Sequence, residues 1–120
     1  MRVFVYGTLL RGERYHDLLS GARLVAEART PPGFRLVDLG EYPALVRGGH
    51  GSVVGEVYEV DDATLAALDR LEDHPRLYRR TPIVLAGEGA AAEAYLLDAE
   101  RAAGLPVIAS GSWRARARPR

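Results

Sequence analysis

Glu72 is the residue whose type and position point most directly to chemistry. A helix is predicted from residue 62 to about residue 73, and each helical residue advances by about 100°. Leu65, Leu68 and Leu71 then form one apolar stripe, and Glu72 falls on it because it follows Leu68 by four residues. A carboxylate on the core side of a helix is costly unless it is paired, protonated or lining a pocket. Partial desolvation raises a carboxyl pKa, which suits a general base that works near neutral pH.

A purely structural role for Glu72 is the alternative. Asp61-Asp62 supplies an N-cap for the helix, and His74-Pro75 ends it. If the helix ends by Leu71, Glu72 is expected to pair with an arginine such as Arg76 or Arg79. The spacing alone leaves both interpretations open.

The segment Tyr6-Gly7-Thr8-Leu9 is the second candidate site. It follows an apolar run, so we predict a turn at the end of a buried strand. Such a turn frees backbone N–H groups that can hold a carboxylate or an oxyanion, while Thr8 adds a hydroxyl and Tyr6 an aromatic wall. The segment lacks the glycine pattern of a phosphate-binding loop. An ordinary connection between two elements is the alternative.

Composition excludes several other chemistries. The 120 residues contain no cysteine, and every basic side chain is Arg, so thiolate, cysteine–zinc and lysine chemistry are excluded. The three histidines lack metal-ligand spacing, and we expect neither a metal nor another cofactor. Sixteen basic and sixteen acidic residues argue against a nucleic-acid partner. We find no membrane segment or signal peptide and expect a cytoplasmic protein.

Short strands separated by turns dominate the predicted secondary structure. We predict strands at residues 3–6, 24–29, 34–38, 44–47, 53–60, 78–85 and 93–97, and helices at residues 13–19 and 62–73. The helices are not regularly interleaved with the strands, which favours an α+β fold with a mixed, barrel-like sheet. Residues 1–113 form one predicted domain. The Arg-rich tail at residues 114–120 is expected to fray.

Taken in order, several segments resemble the gamma-glutamylcyclotransferase-like superfamily, and its gamma-glutamylamine cyclotransferase branch in particular. The matching segments are Val-Phe-Val-Tyr-Gly-Thr-Leu at residues 3–9, Gly-Glu-Tyr-Pro-Ala-Leu-Val at 40–46, Val-Gly-Glu-Val-Tyr-Glu-Val at 54–60, Leu-Asp-Arg-Leu-Glu-Asp-His-Pro-Arg-Leu-Tyr-Arg-Arg at 68–80, and the end at 111–113. Each segment is a weak signal, but the ordered set is specific and spans nearly the whole chain.

This resemblance implies a small mixed β-barrel with short flanking helices and a substrate cavity at the opening turn. It places the catalytic glutamate at Glu72 and the substrate loop at residues 6–9, and it makes Tyr78 a cavity wall or a hydroxyl partner. It also implies a small-molecule gamma-glutamyl substrate, in a protein that we expect to be a monomer or a homodimer.

The implied reaction is cyclisation of a gamma-glutamyl amine or amide to 5-oxoproline, with Glu72 as general acid and base. Two alternatives remain open: an amide hydrolase on the same scaffold, and a non-catalytic module that binds a small ligand.

Overall fold

The computed structural model describes residues 1–87 and 90–116. Its elements are, in chain order, β1 (Arg2–Val5), a 3₁₀ helix (His16–Leu19), β2 (Arg23–Arg29), β3 (Phe34–Asp38), β4 (Pro43–Arg47), β5 (Val54–Glu59), α1 (Asp62–Leu71), β6 (Tyr78–Val84), β7 (Ala91–Leu97) and α2 (Ala99–Ala102).

All of these strands belong to one mixed sheet. Its order is β2-β5-β1-β7-β4-β3, and β6 pairs with β7 outside this path. Strand β7 runs parallel to β1 and β4, whereas its pairing with β6 and the other pairings are antiparallel. The predicted α+β class with a mixed sheet is confirmed.

The sheet is open, and this differs from the expected barrel. Val3 of β1 lies opposite Glu93 of β7, and Leu45 of β4 lies opposite Leu96, so the two halves of the sheet meet on β7. Within the described residues, β2 and β3 end these halves without closing the sheet. Closure depends on strand tilt and stagger, which a pattern of short apolar runs does not encode.

The position of Glu72 is set by the helix α1, which ends next to it. Asp61 is the N-cap, as predicted, and its Oδ1 accepts a hydrogen bond of 2.8 Å from the Thr64 N–H. The helix ends at Leu71, slightly earlier than predicted, and Glu72 is its C-cap with φ −84° and ψ 0°. Asp73 then turns the chain away with φ +51°. Glu72 therefore keeps helical backbone geometry at the end of α1, and the chain leaves the helix at Asp73.

Two short helical segments differ from the sequence-based assignment. The predicted helix at residues 13–19 is only a 3₁₀ helix at His16–Leu19, and the one-turn helix α2 was not predicted. Segments this short gain few internal hydrogen bonds, so tertiary packing decides whether they form.

None of the helices described at residues 1–87 and 90–116 is long and apolar enough to cross a membrane.

The C-terminal segment packs against the sheet. Gly111 accepts a hydrogen bond of 2.9 Å from the Val54 N–H, and the Trp113 side chain is buried. Gly111 has φ +70°, and a Cβ there would lie 2.1 Å from the Ser52 carbonyl oxygen, so this close approach requires glycine. The next residue, Arg114, forms an ion pair with Glu56. The first residues of the tail that was expected to fray thus make defined contacts, and residues 117–120 lie outside the described part.

Candidate active site

A cavity of about 200 Å³ opens where β1 ends. This volume suits a small ligand, since pockets for drug-sized ligands typically measure about 300–1,000 Å³. Its wall is formed by Phe4, Val5, Tyr6, Gly7, Thr8, Leu9, Tyr15, Tyr42, Pro43, Leu71, Glu72, Leu77, Tyr78 and Tyr95. All the site residues predicted from the sequence, namely Glu72, Tyr6, Gly7, Thr8, Leu9 and Tyr78, therefore lie around one cavity.

Glu72 contributes a half-buried carboxylate to this wall. No side chain of the described residues forms an ion pair or hydrogen bond with it. Arg76, one of the arginines considered as a partner, instead pairs with Asp73 at 3.1 Å. Burial therefore acts without compensation and raises the pKa of Glu72 to about 7. A carboxyl in this state can take up and release a proton near neutral pH.

The turn after β1 presents backbone donors on the cavity wall. The Leu10 N–H closes the turn on the Gly7 carbonyl at 3.0 Å. Within the described part of the chain, the N–H groups of Gly7, Thr8 and Leu9 have no hydrogen-bond acceptor. Adjacent N–H groups without an acceptor can together bind an anion such as a carboxylate where they converge.

Gly7 is required by a close contact with Pro43. A Cβ on Gly7 would lie 2.5 Å from the Pro43 Cγ and 2.7 Å from its Cδ. Real Cβ atoms essentially never approach another atom so closely, so a side chain here would displace the proline or the turn. The absence of a Cβ thus lets the turn and the Tyr42-Pro43 segment share one cavity wall.

Three buried tyrosines shape the cavity through hydrogen bonds to their surroundings. The Tyr6 hydroxyl donates to the Tyr95 carbonyl at 2.6 Å, and the Tyr78 hydroxyl donates to the Pro43 carbonyl at 3.0 Å. The Tyr95 hydroxyl donates to Asp69 Oδ1 at 2.7 Å. Burial is the main cause that raises the pKa of each phenol above its ordinary value. The hydroxyls therefore stay protonated at neutral pH, and their hydrogen bonds hold the wall of the cavity.

The structure adds lining residues that the sequence did not single out. Tyr15 lies just before the 3₁₀ helix and Tyr95 lies on β7, and both reach the cavity that Tyr42 and Pro43 also line. An aromatic residue within a strand usually belongs to the core, so no sequence signal marked Tyr95. Tyr15 falls in the helix predicted at residues 13–19, and nothing in that pattern marks it as a lining residue.

Asp69, which accepts the hydrogen bond of the Tyr95 hydroxyl, also forms an ion pair of 3.0 Å with Arg80. This pair was also not predicted. Among residues 1–87 and 90–116, no three His, Asp or Glu side chains are grouped so that they could hold a metal ion.

The fold and this site define a class of small α+β domain in which a half-buried carboxylate and a glycine-containing turn line the same cavity. A sequence model described as Gamma-glutamyl cyclotransferase, AIG2-like, matches residues 3–115. The chain belongs to this family.

Relatives of known name are similar over most of the chain. The gamma-glutamylcyclotransferase family protein YtfP of Escherichia coli K12 is 36% identical over 113 residues, which cover 94% of this chain and 96% of that protein. Gamma-glutamylaminecyclotransferase A of Danio rerio is 39% identical over 108 residues, or 80% of this chain and 67% of that protein. The crystal structure of an AIG2-like protein from Mus musculus has a TM-score of 0.80 at 30% identity, covering 99% of this chain and 95% of that one.

Proposed function

We propose that this protein converts a gamma-glutamyl amine or amide into 5-oxoproline and a free amine. The observation that carries this proposal is the Glu72 carboxylate: it lines a small cavity without a charged partner, and its pKa lies at about 7. The family to which the chain belongs supports the gamma-glutamyl substrate class.

The reaction is an intramolecular aminolysis. The α-amino nitrogen of the substrate attacks its own γ-carbonyl carbon, a new carbon–nitrogen bond closes the five-membered ring, and the bond to the departing amine breaks. Two protons leave the attacking ammonium and two reach the departing nitrogen, so none is consumed. Glu72 takes each proton from the first nitrogen and passes it to the second, which is the task of a general acid and base.

The turn at residues 7–9 holds the substrate in this proposal. Its free N–H groups would bind the α-carboxylate or the oxyanion that develops on the γ-carbonyl oxygen. Fixing the anion on one side and the ammonium next to Glu72 on the other folds the substrate into its reactive geometry. The tyrosines of the wall would exclude water, which favours ring closure over hydrolysis.

A product assay tests the proposal. The protein is incubated with a panel of gamma-glutamyl amines, amino acids and peptides, and 5-oxoproline, glutamate and the released amine are quantified by chromatography. We expect 5-oxoproline and amine in equal amounts from at least one substrate class. Free glutamate instead would identify an amide hydrolase, and ligand binding without turnover would identify a binding module.

A further inference from the structure

Glu56 is a buried carboxylate outside the cavity, on strand β5. Its residue surface is only 1% exposed. Oε1 accepts hydrogen bonds from the Arg11 backbone N–H at 2.9 Å and from the Tyr58 hydroxyl at 3.0 Å, and Oε2 lies 3.3 Å from the Arg114 guanidinium. Burial would raise the pKa of Glu56, but these donors together lower it below its ordinary value. The carboxylate is therefore charged in the folded protein.

Arg114 completes a clamp around the backbone of Arg11. Its guanidinium donates both to Glu56 and to the Arg11 carbonyl oxygen. The Arg11 N–H is held by Glu56 and its carbonyl by Arg114, so both backbone groups of this residue are fixed by one ion pair. The Arg11 side chain itself is exposed.

The clamp acts on the end of the turn that carries the free amides. Arg11 follows Leu9 by two residues. Two carbonyls that precede Arg11 in the turn also have partners. The Thr8 carbonyl accepts a hydrogen bond from the Tyr15 N–H at 2.8 Å, and His16 Nδ1 lies 2.9 Å from the Leu9 carbonyl oxygen. The carbonyls of residues 7–9 thus all have hydrogen-bond partners, which fixes the turn and leaves the N–H groups of the same residues available.

We propose that Glu56 and Arg114 are positioning residues that hold the turn at residues 7–11 in the conformation that binds the anionic end of the substrate. The inference rests on the proposed function for the nature of the substrate. It assigns the C-terminal segment a part in substrate affinity, although Arg114 does not line the cavity.

Steady-state kinetics of Arg114→Ala test this assignment. An interaction that orders a binding loop contributes alike to the ground state and the transition state, so we expect KM to rise about 10-fold while kcat stays within about 3-fold. Arg35→Ala is the matched control, because Arg35 also donates to a turn carbonyl, that of Gly48 at 3.2 Å, but this turn does not line the cavity. We expect the control to keep the wild-type KM. An unchanged KM in folded Arg114→Ala, or a loss confined to kcat, would overturn the proposal.

Arg114→Lys separates positioning from a general loss of folding. Lysine keeps the charge next to Glu56 but lacks the fork that reaches two acceptors at once. We expect its KM to lie between those of the wild type and Arg114→Ala. A KM equal to that of Arg114→Ala also supports the proposal, because it shows that the contacts with Glu56 and with the Arg11 carbonyl are both needed. A wild-type KM would show that only the charge of Arg114 matters and would overturn the clamp.

Amide hydrogen exchange keeps this test independent of turnover. The Arg11 amide donates to a buried carboxylate and is expected to exchange slowly in the wild type. In Arg114→Ala we expect its exchange to be at least about 10-fold faster, with the β5 amide of Val57 unchanged. An unchanged Arg11 amide contradicts the clamp even if the enzyme is active. If the wild type forms no 5-oxoproline but the Arg11 amide responds as expected, the proposed function fails and the clamp stands.

Discussion

The backbone N–H of Glu72 donates to the Leu68 carbonyl at 3.0 Å, although α1 ends one residue earlier, at Leu71. This helical hydrogen bond keeps the Glu72 side chain in the direction that the leucine stripe of the helix sets. The carboxylate consequently lies on the cavity wall, while the next residue, Asp73, turns outward to pair with Arg76. The Glu72 carboxylate is thus placed by a hydrogen bond at the C-terminal end of α1.

Glu72→Gln tests the proposed general base. The change preserves shape but removes proton transfer, so we expect kcat to fall about 10²–10⁴-fold with KM little altered. Initial rates of 5-oxoproline formation measure this, with Asp73→Asn as the control from the neighbouring residue, which does not line the cavity. A folded Glu72→Gln protein with the wild-type rate would show that another group moves the proton.

The pH dependence of the reaction reports the same carboxyl. Because the base must be ionised to accept a proton, we expect kcat/KM to rise with pH and to reach half its maximum near pH 7. A ¹³C NMR titration of the Glu72 side-chain carboxyl measures the pKa directly. Ionisation near pH 4.5, as in a solvated glutamate, would contradict the effect of burial.

Glu72 should also make folding stability depend on pH in the direction opposite to most acidic residues. Its pKa is about 7 in the folded protein and near 4.5 in the unfolded chain, so the folded state binds the proton more tightly. This stabilisation is present below pH 4.5 and is lost as the pH rises through 7. We expect the free energy of unfolding of Glu72→Gln, relative to the wild type, to increase by about 2 kcal/mol between pH 5 and pH 8. Urea unfolding of both proteins at the two pH values measures this, and a constant difference would argue against it.

Gly7→Val tests the donor turn. The added Cβ would collide with Pro43, whose Cγ would be 2.5 Å away, so the turn or the cavity wall must shift. We expect the variant to lose detectable binding of glutamate or 5-oxoproline in calorimetry, at a stability cost of about 1–3 kcal/mol for overpacking. Retained affinity in a folded Gly7→Val protein would place the anion elsewhere.

Thr8→Ala is the matched mild change in the same turn. It removes one hydroxyl and leaves the backbone donors in place, so binding should weaken by only about 0.5–1.5 kcal/mol if that hydroxyl contacts the ligand. A crystal soaked with 5-oxoproline provides the direct measurement, with the ligand carboxylate expected within about 3 Å of the N–H groups of residues 7–9.

Tyr78→Phe tests the wall of the cavity. Removing the hydroxyl leaves the buried Pro43 carbonyl without the donor that lies 3.0 Å away. An unsatisfied buried acceptor costs about 1–3 kcal/mol, and we expect a loss of stability of that size in urea unfolding. An unaffected free energy of unfolding would show that this hydrogen bond contributes nothing net.

Local patterns determined the main catalytic candidate. The spacing of Leu65, Leu68 and Leu71 predicts where Glu72 points, because helical geometry repeats over a few residues and does not depend on the rest of the fold. The strand–glycine transition at Tyr6-Gly7 predicts the turn of free amides for the same reason. The predicted direction of Glu72 holds although the helix ends at Leu71, because the Glu72 N–H still donates to the Leu68 carbonyl.

Tertiary structure alone decided the contacts between segments that are distant in the chain. The pairing of Glu56 with Arg114 joins β5 to the C-terminal segment around the Arg11 backbone, and Tyr95 reaches the cavity from β7. The open edge of the sheet is a similar case. Such contacts depend on strand order and on the path of the chain after folding, whereas composition and short-range periodicity report only which face of each element is apolar.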